Sequence, residues 1–334
     1  MSNRHVVFGS GPVGRAVIAE LLSRSEPVVL ASRGARPAWL DARVQHVRAD
    51  ATDPATTRVA CVGASHVYNC TNAAQYHRWP EQFPPLQRGV LEGARANGAV
   101  LVVVENLYVY GPHGGVPMTE NLPLNGKGLR STTRVEMTNE LAAVTDLPIV
   151  RVRASDLIGP GVTESMAGAR LFEPILSGAA KVQVMADPTL PHAVTSVTDF
   201  AKTLVAAGLD ERCHGQVLHA PSLSPTPGEL VSLIAEQAGV KAPRLSAPSR
   251  TVASMLIPVL GVFVPELRGL NENASMFYEP FIVDSTRAKA VLGLEATPLR
   301  ETIRDAIAWY RSRHVAAISV YAPQGAVARP KPTP

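Results

Sequence analysis

Short apolar runs punctuate the first half of the chain: His5–Phe8, Val28–Ser32, Val44–Val47, His66–Cys70, Val100–Val104 and Ile149–Arg153. Each is the length of a strand, and the continuous ones read as strands buried on both faces. Between them lie segments with apolar residues on one helical face, Val13–Leu22 and Gln82–Asn97, and a shorter helix over 54–62 that Asp53 is placed to cap. Pro84 and Pro85 are expected in the first turn of the second, where proline is tolerated. Strand and helix in strict alternation predict an α/β fold, a Rossmann-type doubly wound parallel sheet with ligands at the strand carboxyl ends.

Beyond Pro160 the alternation fades. A helix is expected over Arg170–Leu176, a strand over Val182–Met185, and a helix over Asp199–Leu209 capped by Thr198 or Asp199. After a proline-rich turn at Pro221–Pro227, Thr226 caps a helix over Glu229–Ala238. Met255–Val264 reads as a helix that covers a pocket or meets another subunit, and Val315–Pro334 as a mobile tail. This divides the chain into a dinucleotide-binding core (1–160), a smaller substrate-binding C-terminal part with segments returning to the core (161–314), and the tail (315–334).

Composition narrows the function classes. The 334 residues are 46% hydrophobic and 18% charged, which is the balance of an ordinary globular protein. The net charge is +4, but the 26 Arg and 6 Lys form no basic run, which argues against nucleic acid as a partner. No apolar run reaches membrane-spanning length. Cys61, Cys70 and Cys213 are unpaired in number and widely spaced, as expected of reduced thiols in a cytoplasmic protein, and no metal-ligand spacing appears.

The chemistry begins at Gly9-Ser-Gly11-Pro12-Val13-Gly14, a G-x-G-x-x-G between the first strand and the first helix. Gly9 permits the tight turn, Gly11 lets the backbone approach a pyrophosphate, and Gly14 lets helix and strand pack closely. At the end of the second strand, where a dinucleotide's adenosine ribose lands, there is no acid. Ser32 and Arg33 stand there, with Arg36 behind. A guanidinium suits a 2′-phosphate, so NADP is expected over NAD. Asp50 and Ala51 are placed for the adenine, and Thr71, Asn72 and Ala73 leave room for ribose and phosphate.

These features resemble an extended short-chain dehydrogenase/reductase of the NAD-dependent epimerase/dehydratase family. The likeness is carried by the glycine turn, Asp50-Ala51, Asn106-Leu-Tyr-Val-Tyr110-Gly111-Pro112, Leu147–Arg153 leading to Ile158-Gly-Pro160, Val194–Asp199, Gly228-Glu-Leu230 and Asp284–Leu294. The resemblance implies a Ser/Thr, a Tyr and a Lys as catalytic groups, and a homodimer built through two helices. The chain has no Tyr-x-x-x-Lys. The expected positions carry Asn106, Arg130 and Arg134. Arginine stays protonated, so Arg130 cannot move the proton, although Arg134 can still hold the nicotinamide ribose. Tyr108 or His113 is then the expected proton donor, and Tyr110 a wall of the site. Ser131, Thr132 and Thr133 are expected to cap the helix that starts there. Arg170, His192 (near Asp199), Phe277 and Tyr278 are candidates for contacting a small-molecule substrate. Three readings stand open: an NADPH-dependent reductase with a substituted site, a redox-neutral isomerase, cyclase or lyase, and a non-catalytic NADP-binding protein.

Overall fold

A computed structural model describes residues 3–73, 75–252, 255, 272 and 274–321. The apolar runs become β1 (Arg4–Phe8), β2 (Val28–Ser32), β3 (Gln45–Arg48), β4 (Ala64–Asn69), β5 (Val100–Asn106) and β6 (Ile149–Ala154), with α1 (Pro12–Ser23), α2 (Pro54–Ala60), α3 (Trp79–Arg95) and α4 (Leu129–Ala142) among them. The second half supplies β7 (Asp156–Ile158), α5 (Ala169–Leu176), β8 (Lys181–Gln183), β9 (Val194–Ser196), α6 (Val197–Leu209) and β10 (Val217–His219). It continues with α7 (Pro227–Ala238), β11 (Arg244–Ser246), α8 (Ala274–Tyr278), α9 (Thr286–Leu292) and α10 (Leu299–Tyr321).

The main sheet has seven parallel strands in the order β10-β6-β5-β4-β1-β2-β3. Alternate strand residues feed opposite layers. Val7, Tyr68, Val102 and Val152 pack with Val17 and Leu21 of α1 and Phe200 and Leu204 of α6. Phe8, Val67, Leu101 and Val103 pack with Val90 and Ala94 of α3 and Leu141 of α4. Burial on both faces explains why β1 and β5 read as near-continuous apolar runs. A third cluster joins α5, α7 and α10, where Phe172 stacks on Tyr310 with ring centroids 5.0 Å apart.

Several elements differ from expectation for local reasons. α3 starts at Trp79, upstream of Gln82, because Trp79 and Phe83 are buried together; Pro84 and Pro85 therefore lie inside the helix. α6 is capped by the Ser196 hydroxyl, which accepts from the Asp199 N–H, and not by Thr198 or Asp199. Ser131, Thr132 and Thr133 do not cap α4, whose N-cap is Gly128 in the left-handed region (φ 87°). Asp53 and Thr226 cap their helices as expected, the latter in a reciprocal box with Glu229. Helix α10 continues to Tyr321, into the stretch expected as tail. The helix expected over Met255–Val264 falls, but for Met255, outside the described residues. Among the described residues no helix is long and apolar enough to cross a membrane.

Candidate functional site

A cavity of about 370 Å³ opens at the carboxyl ends of β1, β4, β5 and β6. One end is formed by Gly11, Pro12, Val13, Thr71 and Asn72, the other by Asn106, Tyr108 and Arg134. The glycine turn has steric causes. Gly9 has φ 110°, and a Cβ there would stand 2.5 Å from the Cys70 carbonyl oxygen. A Cβ on Gly14 would stand 1.9 Å from the Gly9 oxygen, so α1 can lie this close to the turn only with glycine. A Cβ on Gly11 would meet nothing within 4 Å, which leaves open space over the turn. No side chain caps α1, and its first-turn N–H groups are open to an anion. Asn69 Oδ1 shapes the opposite rim by accepting from the Thr71 N–H (3.2 Å) and hydroxyl (2.7 Å).

At the end of β2, Ser32 Oγ lies 3.0 Å from His46 Nε2. Arg33 is exposed, and its carbonyl accepts from Arg48 Nε at 3.0 Å. Arg36, expected to contact the cofactor, is used otherwise. Its guanidinium donates to the carbonyls of Val44 (2.8 Å), Asp41 (2.7 Å) and Leu40 (3.4 Å), closing the loop after β2. Asp50 and Ala51 form a structural turn. Asp50 Oδ1 accepts from the Thr52 N–H and hydroxyl, and these bonds, with Arg33 nearby, hold its carboxyl below the usual range against the opposing effect of burial. The Ala51 carbonyl lies where a Cβ on Gly89 of α3 would be 2.1 Å away. Ala73 is buried, and its carbonyl accepts from Trp79 Nε1 at 3.3 Å.

At the far end, Asn106 Oδ1 accepts from the Tyr108 N–H at 3.3 Å, leaving its Nδ2 for a ligand. Tyr108 stacks on Trp79 at 5.9 Å. Burial raises its hydroxyl pKa well above the ordinary value; Tyr76 and Asp156 push the same way and Arg130 opposes them. Arg134 is buried, with Nη2 donating to the Val104 carbonyl (3.3 Å) and its guanidinium 4.8 Å over the Phe83 ring. Its Nε has no partner among the described residues. Arg130 lies one turn earlier on α4, 5.0 Å over the Tyr76 ring, and is not among the residues lining the cavity.

Two expected residues turn away. His113 Nδ1 is 3.3 Å from the Gly111 carbonyl and its ring stands edge-on to Phe281, so it does not line the cavity as a proton donor would. Tyr110 is a core residue, not a cavity wall: Arg153 Nη1 donates to its oxygen at 2.7 Å and His219 Nε2 lies at 2.6 Å. His219 Nδ1 donates to the Asp284 carbonyl (3.0 Å), so Nε2 is the acceptor and Tyr110 the donor.

This pair belongs to a buried network that the sequence reading missed. Glu105 and Arg153 face each other across β5 and β6, and Arg153 Nε donates to Glu105 Oε2 at 2.8 Å. Thr138 of α4 donates to the other carboxylate oxygen at 2.6 Å. Burial alone would raise the Glu105 pKa, but Arg153 and Arg134 outweigh it and hold the carboxyl low. Glu105 and Arg134 both line the cavity. The available signal was charge inside apolar strands: Glu105 closes the run Val100–Val104, and Arg153 follows Arg151 in Ile149-Val-Arg-Val-Arg153.

A smaller cavity of about 60 Å³ lies on the C-terminal side and is lined by Arg170 and His192. His192 does not meet Asp199. Its Nε2 lies 2.7 Å from Asp156 Oδ2, while Asp199 accepts from the Thr297 N–H and hydroxyl, both at 2.7 Å. Asp156 lines both cavities. Phe277 and Tyr278 line neither: the Phe277 carbonyl accepts from the Asp187 N–H, and the Tyr278 hydroxyl donates to the Pro248 carbonyl. Their neighbours Met276 and Phe281 line the larger cavity instead.

A family model described as NAD dependent epimerase/dehydratase family matches residues 6–212. No curated protein sequence matches the chain significantly. Among solved structures, the UDP-glucose 4-epimerase of Thermotoga maritima with UDP-glucose has a TM-score of 0.74 at 17% identity, covering 93% of this chain and 99% of that one. The UDP-glucose 4-epimerase of Thermus thermophilus in complex with NAD gives 0.72 at 19%, covering 92% and 99%. MoeE5 in complex with UDP-glucuronic acid and NAD gives 0.72 at 22%, covering 93% and 99%. At such identities these likenesses establish the fold.

Proposed function

The chain belongs to the NAD-dependent epimerase/dehydratase family, and from that premise we propose that it binds a nicotinamide dinucleotide, NADP before NAD, and reduces a small metabolite. The observation that carries this reading is the large cavity, with an open glycine turn at one end and an unpartnered, buried Arg134 Nε at the other. Two of the similar structures hold NAD. The preference for NADP rests on this chain's own residues: Ser32-Arg33 ends β2 where an acid would repel a 2′-phosphate, and the Arg33 side chain is exposed there.

A reduced nicotinamide, when bound, supplies a hydride. The chain's residues do the rest. The α1 N-terminus receives the pyrophosphate. Arg134 Nε is the donor for the nicotinamide ribose. Asn106 Nδ2 donates to the substrate carbonyl and polarises it. Tyr108, whose raised pKa keeps it protonated, gives its proton to the oxygen as charge develops there. Burial makes this hydroxyl a weaker acid than an ordinary tyrosine, so the transfer depends on the negative charge that develops on the oxygen. A second reading, a redox-neutral enzyme or an NADP-binding protein, is favoured by the two permanent cations Arg130 and Arg134 standing where the family's tyrosine and lysine are expected.

Titration with NADPH and NADH, followed by nicotinamide fluorescence, tests the reading. Tight NADPH and weak NADH binding are expected, and binding of neither would overturn it. Arg33→Ala should weaken NADPH by about 10- to 100-fold, the range for one charge-assisted contact, and leave NADH unchanged. Equal loss of both would remove the 2′-phosphate assignment. In a screen of ketones and enones for NADPH consumption, Tyr108→Phe should slow ketone turnover by about 100-fold or more without changing NADPH affinity. Unchanged ketone turnover would exclude Tyr108 as the donor.

A further inference from the structure

The smaller cavity has a composition of its own. Met166, Leu171, Val184, Met185 and Leu230 make its walls apolar. A volume of about 60 Å³, at roughly 10–15 Å³ per water-sized group, admits about four to six non-hydrogen atoms. The charged groups are few. Arg170 is exposed at the cavity and makes no ion pair or hydrogen bond with any described residue. His192 is held by the Asp156 carboxylate at 2.7 Å and by stacking on Phe281 at 5.1 Å. Because Asp156 also lines the large cavity, the two compartments meet at this pair.

We infer that the smaller cavity is a second binding compartment, beside the one that Asn106 and Tyr108 line, and that it takes a small monocarboxylic acid, with its apolar body among the methionines and its carboxylate on Arg170. This site goes beyond the proposed dinucleotide reading and stands or falls by itself. The Asp156 carboxylate in the lining is engaged by His192 at 2.7 Å, which leaves Arg170 to match one carboxylate, and the walls offer an apolar body a place to leave water. A nucleoside diphosphate matches the charge poorly: its two phosphates call for more than one cation, and Arg170 is the one arginine or lysine among the described residues lining the cavity.

The test uses the full chain with ¹³C-methyl methionine. Met166 and Met185 line the smaller cavity and Met276 the larger, so their methyl resonances report on the two compartments separately. Isobutyrate is the probe, and isobutyramide, of the same shape without the charge, its control. Saturable shifts of the Met166 and Met185 methyls with isobutyrate are expected, with the amide binding at least about tenfold more weakly. Arg170→Gln should abolish that preference, and Arg170→Lys should keep most of it. Equal binding of acid and amide, a preference that survives Arg170→Gln, or no saturable shift at either methionine would overturn the inference. NADPH, titrated alone, is expected to move Met276. Failure there with isobutyrate still bound would overturn the cofactor reading and leave this site, and the reverse pattern would do the opposite.

Discussion

Arg153→Met should destabilise the fold by about 3–5 kcal/mol, the cost of breaking one side of a buried ion pair. The Arg153 and Glu105 side chains are 2% and 1% exposed, and the guanidinium serves Glu105 and Tyr110 together. Its removal strands a carboxylate in the interior and takes a donor from the Tyr110 oxygen. The double replacement Glu105→Leu with Arg153→Met should recover much of the loss, because no uncompensated charge then remains. Denaturant midpoints of the three proteins measure this. A single variant within about 1 kcal/mol of the parent would mean that the network contributes little.

Acid should weaken the protein well before its carboxylates titrate. His5 sits in β1 with its side chain fully buried, stacked on His66 at 4.7 Å and 3.2 Å from the Tyr68 hydroxyl. Burial, then the like charge of His66, lowers its pKa from 6.5 to about 4, while Glu26 Oε2, 3.6 Å from Nε2, acts in the opposite direction. The folded state therefore binds the proton less readily than the unfolded one. The stabilising contribution is complete above pH 6.5 and is lost as the pH falls toward 4. From this group alone the loss is about 2 kcal/mol by pH 5 and about 3 kcal/mol by pH 4. His66 is lowered too, and adds in the same direction. Urea unfolding at pH 7, 6 and 5 measures the slope, and His5→Phe should flatten it. A His5→Phe variant with the parent's slope would assign the effect elsewhere.

β1, β2 and β5 were legible because continuous apolar character and burial on both faces are the same fact. The glycine turn was legible because its constraints are local: Gly9, Gly11 and Gly14 act on backbone within a few residues, or across one strand. What escaped depends on direction and register. Whether Tyr110 and His113 enter the cavity depends on the turn after β5. Whether Arg36 reaches a ligand depends on a loop whose carbonyls it binds first. The pairing of Glu105 with Arg153 requires the register of two parallel strands, which no periodicity encodes. The partner of His192 was misassigned for the same reason: Asp156 meets it because β7 pairs with β9, while nearness along the chain suggested Asp199.

Strand β10 bears on how the protein is made. It is only three residues long, yet it closes the edge of the main sheet beside β6 and carries His219, which anchors Tyr110 from the far half of the chain. The main sheet cannot be completed while the ribosome has released only the first half of the chain. Until residue 219 emerges, β6 waits with one edge unpaired and Tyr110 without its histidine. A fragment cut near residue 160 would carry that open edge permanently and should aggregate, so the two halves mature as one cooperative unit despite their separate hydrophobic clusters.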